Sequence, residues 1–419
     1  MQASSATPLS TAWTAKRARF APRRLPSELG DYLLVEHVGR GGMADIYLAE
    51  RRFAIGARRT CAVKEIIPEL RTNERFLCML GAEARLVSRL RHPNIVGVEC
   101  LDAASGAPFI VMEYVEGLDL RELLRRATER RLALPLAVSI TILCDVLRGL
   151  DHAHRATDAE GRPLGVVHRD VSPSNVLLGF DGQVKLCDFG IAASVDGVPT
   201  EAIEGKAGYM SPEHARGEAV DARADLFAVG IMLGELVSGR RLYQKASGVP
   251  LLVQARRAAR PALPLRDLPE EEWLHAIIDR ALAVSRAERY GSAREMLHDL
   301  EDYALDTRML ISTTRLGVWL RASFEADARL RRSEKARRAA EGDVAAEPPP
   351  SQPSFPETPQ SGEVARGARP TDECETPGAA RVSGERVRAN AGAGAAAGAG
   401  AAAAASFGPC EVAPHEAAT

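Results

Sequence analysis

Apolar positions along this chain change their spacing as the chain proceeds, and the changes divide it. From Tyr32 onward short apolar runs dominate: Tyr32-Leu-Leu-Val35, Ile46-Tyr-Leu-Ala49 and Cys61-Ala-Val-Lys64-Glu-Ile-Ile67. Turn signals and a glycine cluster separate them, which predicts three short strands of a small antiparallel sheet. Phe76, Leu80, Leu86 and Leu90 then recur near helical spacing, and His92-Pro93 supplies a stop, so a helix is expected over 76–90. Val96 to Leu101 and Phe109 to Tyr114 read as two more strands. After Gly117 the pattern turns helical. Its clearest segment covers 135–156, where Pro135 suits a helix start and Ile140, Leu143, Leu147, Leu150 and His154 fall on one face. A strand-first lobe is thus followed by a helix-rich one, an α+β arrangement.

Beyond Asp302 the pattern thins. Leu316, Trp319, Leu320 and Phe324 predict one more helix docking on the preceding lobe, and a basic run from Arg329 to Arg338 reads as its solvated end. From Ala340 the chain is rich in proline, and residues 391–405 are entirely Ala and Gly. Such a segment buries too little side chain to offset roughly 1 to 2 kcal/mol of backbone entropy per residue, which predicts a disordered tail. The expected organisation is a disordered basic extension over 1–31, one folded domain over 32–303, a helical appendix over 304–339 and a tail over 340–419.

Composition supports this division. Of the 419 residues 46% are apolar but only 5% aromatic, and every tyrosine lies at or before Tyr303. The 54 basic residues nearly cancel the 56 acidic ones, giving a net charge of -2, which argues against a chain built to coat nucleic acid or an anionic membrane. Seven scattered cysteines without a C-x-x-C pair suit a reducing cytoplasm better than zinc or disulfides. Residues 1–30 lack the apolar run of a signal peptide, and the charge-free stretch from Ala389 to Cys410 is Ala and Gly rather than Leu, Ile or Val. No membrane span is expected.

The candidate chemistry begins with Gly39-Arg40-Gly41-Gly42-Met43-Ala44-Asp45-Ile46, a glycine cluster between two predicted strands. Glycines there let backbone N–H groups approach phosphate oxygens. A dinucleotide-binding turn would open a helix, whereas here a strand follows and leads to Ala62-Val63-Lys64. Further on come His168-Arg169-Asp170-Val171-Ser172-Pro173-Ser174-Asn175 and Cys187-Asp188-Phe189-Gly190. This ordered set resembles the protein kinase family, and most closely its bacterial eukaryotic-like Ser/Thr branch of the myxobacterial type, over about residues 32–303. The Gly161-Arg162-Pro163-Leu164-Gly165 insert before the catalytic loop belongs to that likeness.

The resemblance implies a two-lobed fold, ATP with Mg²⁺ or Mn²⁺ as cofactors, and protein Ser/Thr hydroxyls as substrates. It assigns Lys64 to the α- and β-phosphates with Glu83 as its helix partner, Asp170 to the acceptor hydroxyl, and Asn175 and Asp188 to the metal. Val38, Ile46, Ala62 and Leu177 would line the adenine, the backbone of Glu113 and Val115 would read its edge, and Asp119 would meet the ribose. Tyr209-Met210-Ser211-Pro212-Glu213 resembles the segment that closes the activation loop, with Arg289 as its buried partner, and Asp225 matches the aspartate that anchors the catalytic loop.

Three positions depart from the family pattern. Ala44 replaces the third glycine of the loop, Ser172 stands where Ser/Thr kinases place a lysine on the γ-phosphate, and Lys206 stands where a threonine usually bonds the catalytic aspartate. One ammonium moved between segments would reconcile the last two, with Lys206 serving as the missing cation. Tyrosine kinases carry an arginine at the places of Ser172 or Ser174, which favours Ser/Thr specificity. Arg169 beside Asp170 suggests control by activation-segment phosphorylation, at Thr200 ahead of Ser194. The alternative reading is a pseudokinase scaffold that binds nucleotide or partners without efficient transfer. The tail is a candidate arm for a protein partner under either reading.

Overall fold

A computed structural model of the chain describes residues 23–53, 56–104, 106–189, 207–243, 249–258 and 262–326, with the side chain of Glu83 left out. Lys206, Thr200, Ser194, the basic run after Phe324 and the expected tail lie outside the described residues.

The first lobe is a six-stranded antiparallel sheet: β1 (Ser27–Leu29), β2 (Tyr32–Arg40), β3 (Ala44–Arg52), β4 (Arg58–Ile66), β5 (Val98–Ala104) and β6 (Ala107–Met112), ordered β1-β2-β3-β4-β6-β5. Strand alternation sorts its residues between two faces. On β4, Cys61 and Val63 join Tyr32, Leu34, Tyr47 and Phe109 in one apolar layer. Ala62, Lys64 and Ile66 face the other way, where Ile66 meets Phe76 and Leu80 of helix α1 (Glu74–Val87). The helix starts two residues before the expected Phe76 because Asn73 caps it, its side chain accepting the Phe76 N–H at 3.0 Å.

β1 corrects the expected extension over 1–31. Ser27, Glu28 and Leu29 pair with Leu34, Leu33 and Tyr32, and Leu25 packs on the same apolar layer, so the first lobe includes these residues of the expected extension.

The second lobe opens with a three-stranded sheet, β7 (Gly117–Asp119), β8 (Val176–Gly179) and β9 (Val184–Leu186), ordered β7-β8-β9. Helices α2 (Leu120–Glu129), α3 (Leu136–His154), α4 (Pro212–Arg216), α5 (Arg223–Ser238), α6 (Leu251–Arg257), α7 (Glu271–Ala281), α8 (Ala293–Asp306) and α9 (Thr313–Leu320) complete it. α3 runs within the expected 135–156, with Pro135 at its N-cap. α5 is buried along nearly its whole length and forms the centre of the lobe. Val96 N–H donates to the Leu186 carbonyl at 2.8 Å and Leu186 N–H to that of Asn94 at 2.9 Å, which fastens the loop after α1 to β9.

The helix expected within 304–339 forms as α9 followed by a π-helical turn, Arg321–Glu325. Leu316, Leu320 and Phe324 are buried in the apolar core of the second lobe, so the described part of the appendix belongs to that lobe. Among the described residues no helix is long and apolar enough to cross a membrane.

Candidate active site

The site is built around one buried carboxylate. Asp225, in the first turn of α5, is 1% exposed. Its two oxygens accept the backbone N–H groups of His168 and Arg169, each at 2.8 Å, and the His154 ring nitrogen Nε2 lies 2.8 Å from Oδ2. Arg169 sits at φ +62°, a conformation that non-glycine residues rarely adopt unless their surroundings impose it. The pair of charge-assisted bonds to Asp225 imposes it here. Sequence reasoning found Asp225 but not His154, whose contact depends on how α3 and α5 cross.

The bend at Arg169 brings the neighbouring groups together. His168 Nδ1 accepts the Asp170 N–H at 3.3 Å, which leaves the ring proton on Nε2, 3.1 Å from the Cys187 carbonyl oxygen. The His168 ring also packs against Phe189, with centroids 4.5 Å apart. One imidazole therefore links the His168–Asn175 loop to the segment that carries Asp188.

Asn175 closes the second link. Its Nδ2 donates to the Asp170 carbonyl at 2.7 Å and to Asp170 Oδ2 at 2.8 Å, while its own carbonyl accepts the Cys187 N–H at 3.0 Å. Both amide protons are spent on Asp170, so Oδ1 is the side-chain atom left to meet a cation. Asp188 follows at φ +56°, and its Oδ1 lies 2.6 Å from Lys64 Nζ. The structure thus places Asp170 beside Asn175 and Lys64 beside Asp188. Glu83 lies within α1, but the contact expected between it and Lys64 falls outside the described residues.

The apolar part of the cleft is lined by Ala62, Val96 and Met112, with Val115, Leu177 and Cys187 packed against them. Burial pushes the Cys187 thiol well above its ordinary range, so it behaves here as an apolar side chain. Leu177 stands opposite Asp119 in the β7–β8 ladder. Asp119 caps α2, accepting the Glu122 N–H at 2.8 Å, and burial raises the pKa of its carboxyl. Glu113 donates its backbone N–H to the Gly97 carbonyl at 2.8 Å, and its side chain pairs with the buried Lys185 at 3.0 Å. That ion pair fixes the connection between the lobes and was not foreseen from the sequence.

The glycine cluster forms the turn between β2 and β3, closed by Gly41 N–H donating to the Ala44 carbonyl at 2.8 Å. A Cβ added at Gly39 or Gly42 would meet nothing within 4 Å, so packing inside the chain does not demand glycine there. Arg40 spans the turn to Asp45, with Nε to Oδ1 at 2.7 Å and Nη2 to Oδ2 at 2.8 Å, and His37 reaches Oδ1 at 3.0 Å. The Arg40 and Asp45 side chains thus brace the turn. Val38 is among the exposed apolar residues, Met43 packs partly against the α1 face, and Ile46 is half-buried opposite Lys64.

Ser172 is 3% exposed, and its hydroxyl lies 3.0 Å from that of Ser174. Arg289 meets Glu213 through two bonds of 2.7 and 2.8 Å, both groups deeply buried. Burial alone would raise the Glu213 pKa, but the guanidinium prevails and holds it below its usual value. Tyr209, just after the undescribed segment, donates to Glu235 of α5 at 2.8 Å, and Arg241 joins the same cluster. The motif places Tyr209 but does not name its partners, which follow from the fold.

Oxygen-only donors from Asp188 and Asn175 suit Mg²⁺ or Mn²⁺, which take one or two protein ligands and complete their shell with phosphate oxygens and water. What the arrangement supplies is a cation at Lys64, two oxygen donors for a divalent metal, and a carboxylate at Asp170 whose position is set by Asn175.

Comparison with known proteins agrees. The protein kinase domain model matches residues 32–300. The chain is 40% identical over 300 residues to the tyrosine-protein kinase MasK of Myxococcus xanthus, covering 70% of this chain and 46% of MasK. It is 34% identical over 289 residues to the serine/threonine-protein kinase PknB of Mycobacterium tuberculosis, covering 66% of this chain and 43% of PknB. It thus spans less than half the length of these two relatives. Among solved structures, the PknI kinase domain of M. tuberculosis aligns with a TM-score of 0.52 at 28% identity, covering 68% of this chain and 99% of that one. With the fold, the motif geometry and the family match in agreement, this chain belongs to the protein kinase family.

Proposed function

We propose that the chain is a protein serine/threonine kinase that uses ATP with Mg²⁺ or Mn²⁺ to phosphorylate protein hydroxyls in the cytoplasm. The observation that carries this reading is the linkage of Asp170, Asn175, Cys187 and Asp188 to Lys64 through bonds of 2.6 to 3.0 Å. In the family Lys64 grips the α- and β-phosphates, and Asp188 and Asn175 hold the metal. The metal, when bound, neutralises charge on the phosphate oxygens. Asp170 orients the acceptor hydroxyl and takes its proton as the new oxygen–phosphorus bond forms and the bond to the β-phosphate breaks. Ala62, Met112, Val115 and Leu177 supply the apolar walls for adenine, and the β2–β3 turn from Gly39 to Ala44 covers the phosphates.

Ser172 and Ser174 support Ser/Thr acceptors, since their two hydroxyls face one another where tyrosine kinases place an arginine. MasK carries a tyrosine-kinase name, so the acceptor must be measured. Phosphorylation of Thr200, with Ser194 second, would act through Arg169 beside Asp170, and a Thr200→Ala variant should lose activity. Ser172 also favours the second reading, a pseudokinase scaffold, because a serine stands at the buried position where the family places its lysine.

The deciding experiment is transfer from labelled ATP to a generic basic protein by the wild type and by Asp170→Asn, followed by phosphoamino acid analysis. Phosphoserine and phosphothreonine should form, with the variant slower by about 10² to 10⁴. Equal signals would leave the scaffold; phosphotyrosine alone would overturn the acceptor assignment.

A further inference from the structure

Away from the nucleotide cleft, three elements line an open cavity of about 590 Å³. Arg89 and His92 reach it from the loop after α1. Arg148, Asp151 and His152 come from α3 and Arg155 from its C-cap, spaced so that they share one helix face. Arg294 comes from α8. Four guanidiniums therefore surround a single lining carboxylate.

That carboxylate is already shared: Asp151 Oδ2 lies 3.1 Å from Arg155 and 3.3 Å from Arg294. Arg148 pairs with Asp145 and Glu301, neither of which lines the cavity. Arg89 has no carboxylate partner among the described residues. The His92 and His152 rings stack 4.9 Å apart, and His92 Nδ1 accepts the Asn94 N–H at 3.1 Å, so its proton sits on Nε2 as a further donor. Burial, and then the His152, Lys185 and Arg148 charges, hold His92 below its ordinary pKa, with Asp151 opposing them. These groups together describe a donor-lined space with surplus positive charge.

We propose that this cavity is a binding site for a phosphate-bearing anion larger than orthophosphate. Guanidinium forks fit phosphate oxygens two at a time, and several converging on one space select a multiply charged ligand over a lone carboxylate. The volume falls within the range of small-molecule sites and exceeds what one orthophosphate fills. A bound anion ties the loop after α1, and so the end of the helix that carries Glu83, to α3 and α8 of the second lobe. None of these residues belongs to the catalytic set, so the site stands or falls independently of phosphoryl transfer.

The probe is tripolyphosphate, titrated into the phosphatase-treated full chain while the histidine ring signals are followed by NMR. Binding should raise the His92 pKa, since an anion offsets the surrounding Arg89, Arg148, Lys185 and His152 charges. Arg89→Ala/Arg294→Ala, which changes two exposed side chains, should weaken this response at least tenfold with an unchanged urea midpoint, and the corresponding double lysine variant should retain part of it. Lys64→Met, which disables only the cleft, should leave it intact. Wild-type binding by the double alanine variant, or loss of the response in Lys64→Met alone, would overturn the proposal. If the autophosphorylated chain shows its histidines already shifted and refuses tripolyphosphate, the natural ligand is a phosphoresidue of this chain. If it still binds, the ligand is a free anion.

Discussion

Arg23 holds Glu65 through three hydrogen bonds of 2.8, 2.9 and 3.2 Å, tying the segment before the sheet to the residue next to Lys64. Glu65 is 4% exposed, and Arg71 adds a bond of 2.9 Å to Oε1. Removing Arg23 leaves a buried carboxylate with one guanidinium instead of two. Because Arg23 is itself partly exposed, the expected loss for Arg23→Ala is about 1 to 2 kcal/mol, read as a lower urea midpoint. Arg24→Ala changes an exposed neighbour and should leave the midpoint in place. Equal midpoints for both variants would show that the extension contributes nothing to the lobe.

Asp45 gives the turn between β2 and β3 a pH dependence. Burial favours its neutral form, but hydrogen bonds from Arg40 and His37 outweigh burial and lower its pKa from 3.8 to about 2. A carboxyl with a depressed folded pKa contributes stability that is complete above its unfolded value and disappears as pH falls through its folded value. The Asp45 contribution should therefore be full above about pH 4 and fade towards pH 2. Asp45→Asn should melt below the wild type at neutral pH, and the gap should narrow between pH 4 and pH 2. A gap that stays constant across that window would exclude the ion pair as its cause.

What the sequence made legible was the part of the site where chemistry fixes residue types in short runs. Asp170 and Asn175 lie five residues apart and meet directly, and Cys187-Asp188-Phe189 brings a carboxylate and an aromatic ring into place as one unit. The Glu213–Arg289 pair was also legible, though only through the family likeness, since 76 residues separate the two. Contacts that depend on how elements cross left no local signal. His154 against Asp225, Lys185 against Glu113 and Arg23 against Glu65 each join an ordinary charged or polar residue to one distant in sequence. β1 was missed because three residues carry too little periodicity to register, and their strand character comes from pairing with β2. The Asn73 cap was present in the sequence and would have placed the start of α1 correctly.

Gly182 decides whether α9 docks. It sits at φ +93°, and a Cβ built on it would lie 1.9 Å from the Thr313 carbonyl oxygen and 2.8 Å from the Gly317 nitrogen. Neither is the movable end of a side chain, so Gly182→Ala must displace the helix or the β8–β9 turn. Displacing α9 uncovers apolar core at Leu316, Leu320 and Phe324 and breaks the bond from Arg126 to the Phe324 carbonyl, 3.4 Å long. Burying each large apolar side chain contributes roughly 1.5 to 3 kcal/mol, so a loss of several kcal/mol is expected. Limited proteolysis should cut the variant between α8 and α9 much faster than the wild type. Equal cleavage rates would mean that the turn absorbs the methyl group and α9 stays docked.

Ser172 leaves the family's usual lysine position without an ammonium. If Lys206 supplies it, Lys206→Ala removes a preorganised donor to developing charge, a loss of about 2.7 to 4 kcal/mol, or 10² to 10³ in kcat. The effect should appear in kcat with little change in the KM for ATP, because the interaction strengthens as charge develops. Adding Ser172→Lys to that variant returns an ammonium to the usual position, although the new side chain must displace the 3.0 Å hydroxyl contact with Ser174 in a buried setting. The double variant should therefore recover part of the lost rate, and the two substitutions should be strongly non-additive. A kcat for Lys206→Ala equal to that of the wild type would place the missing charge elsewhere, and a double variant no faster than Lys206→Ala would separate the two positions.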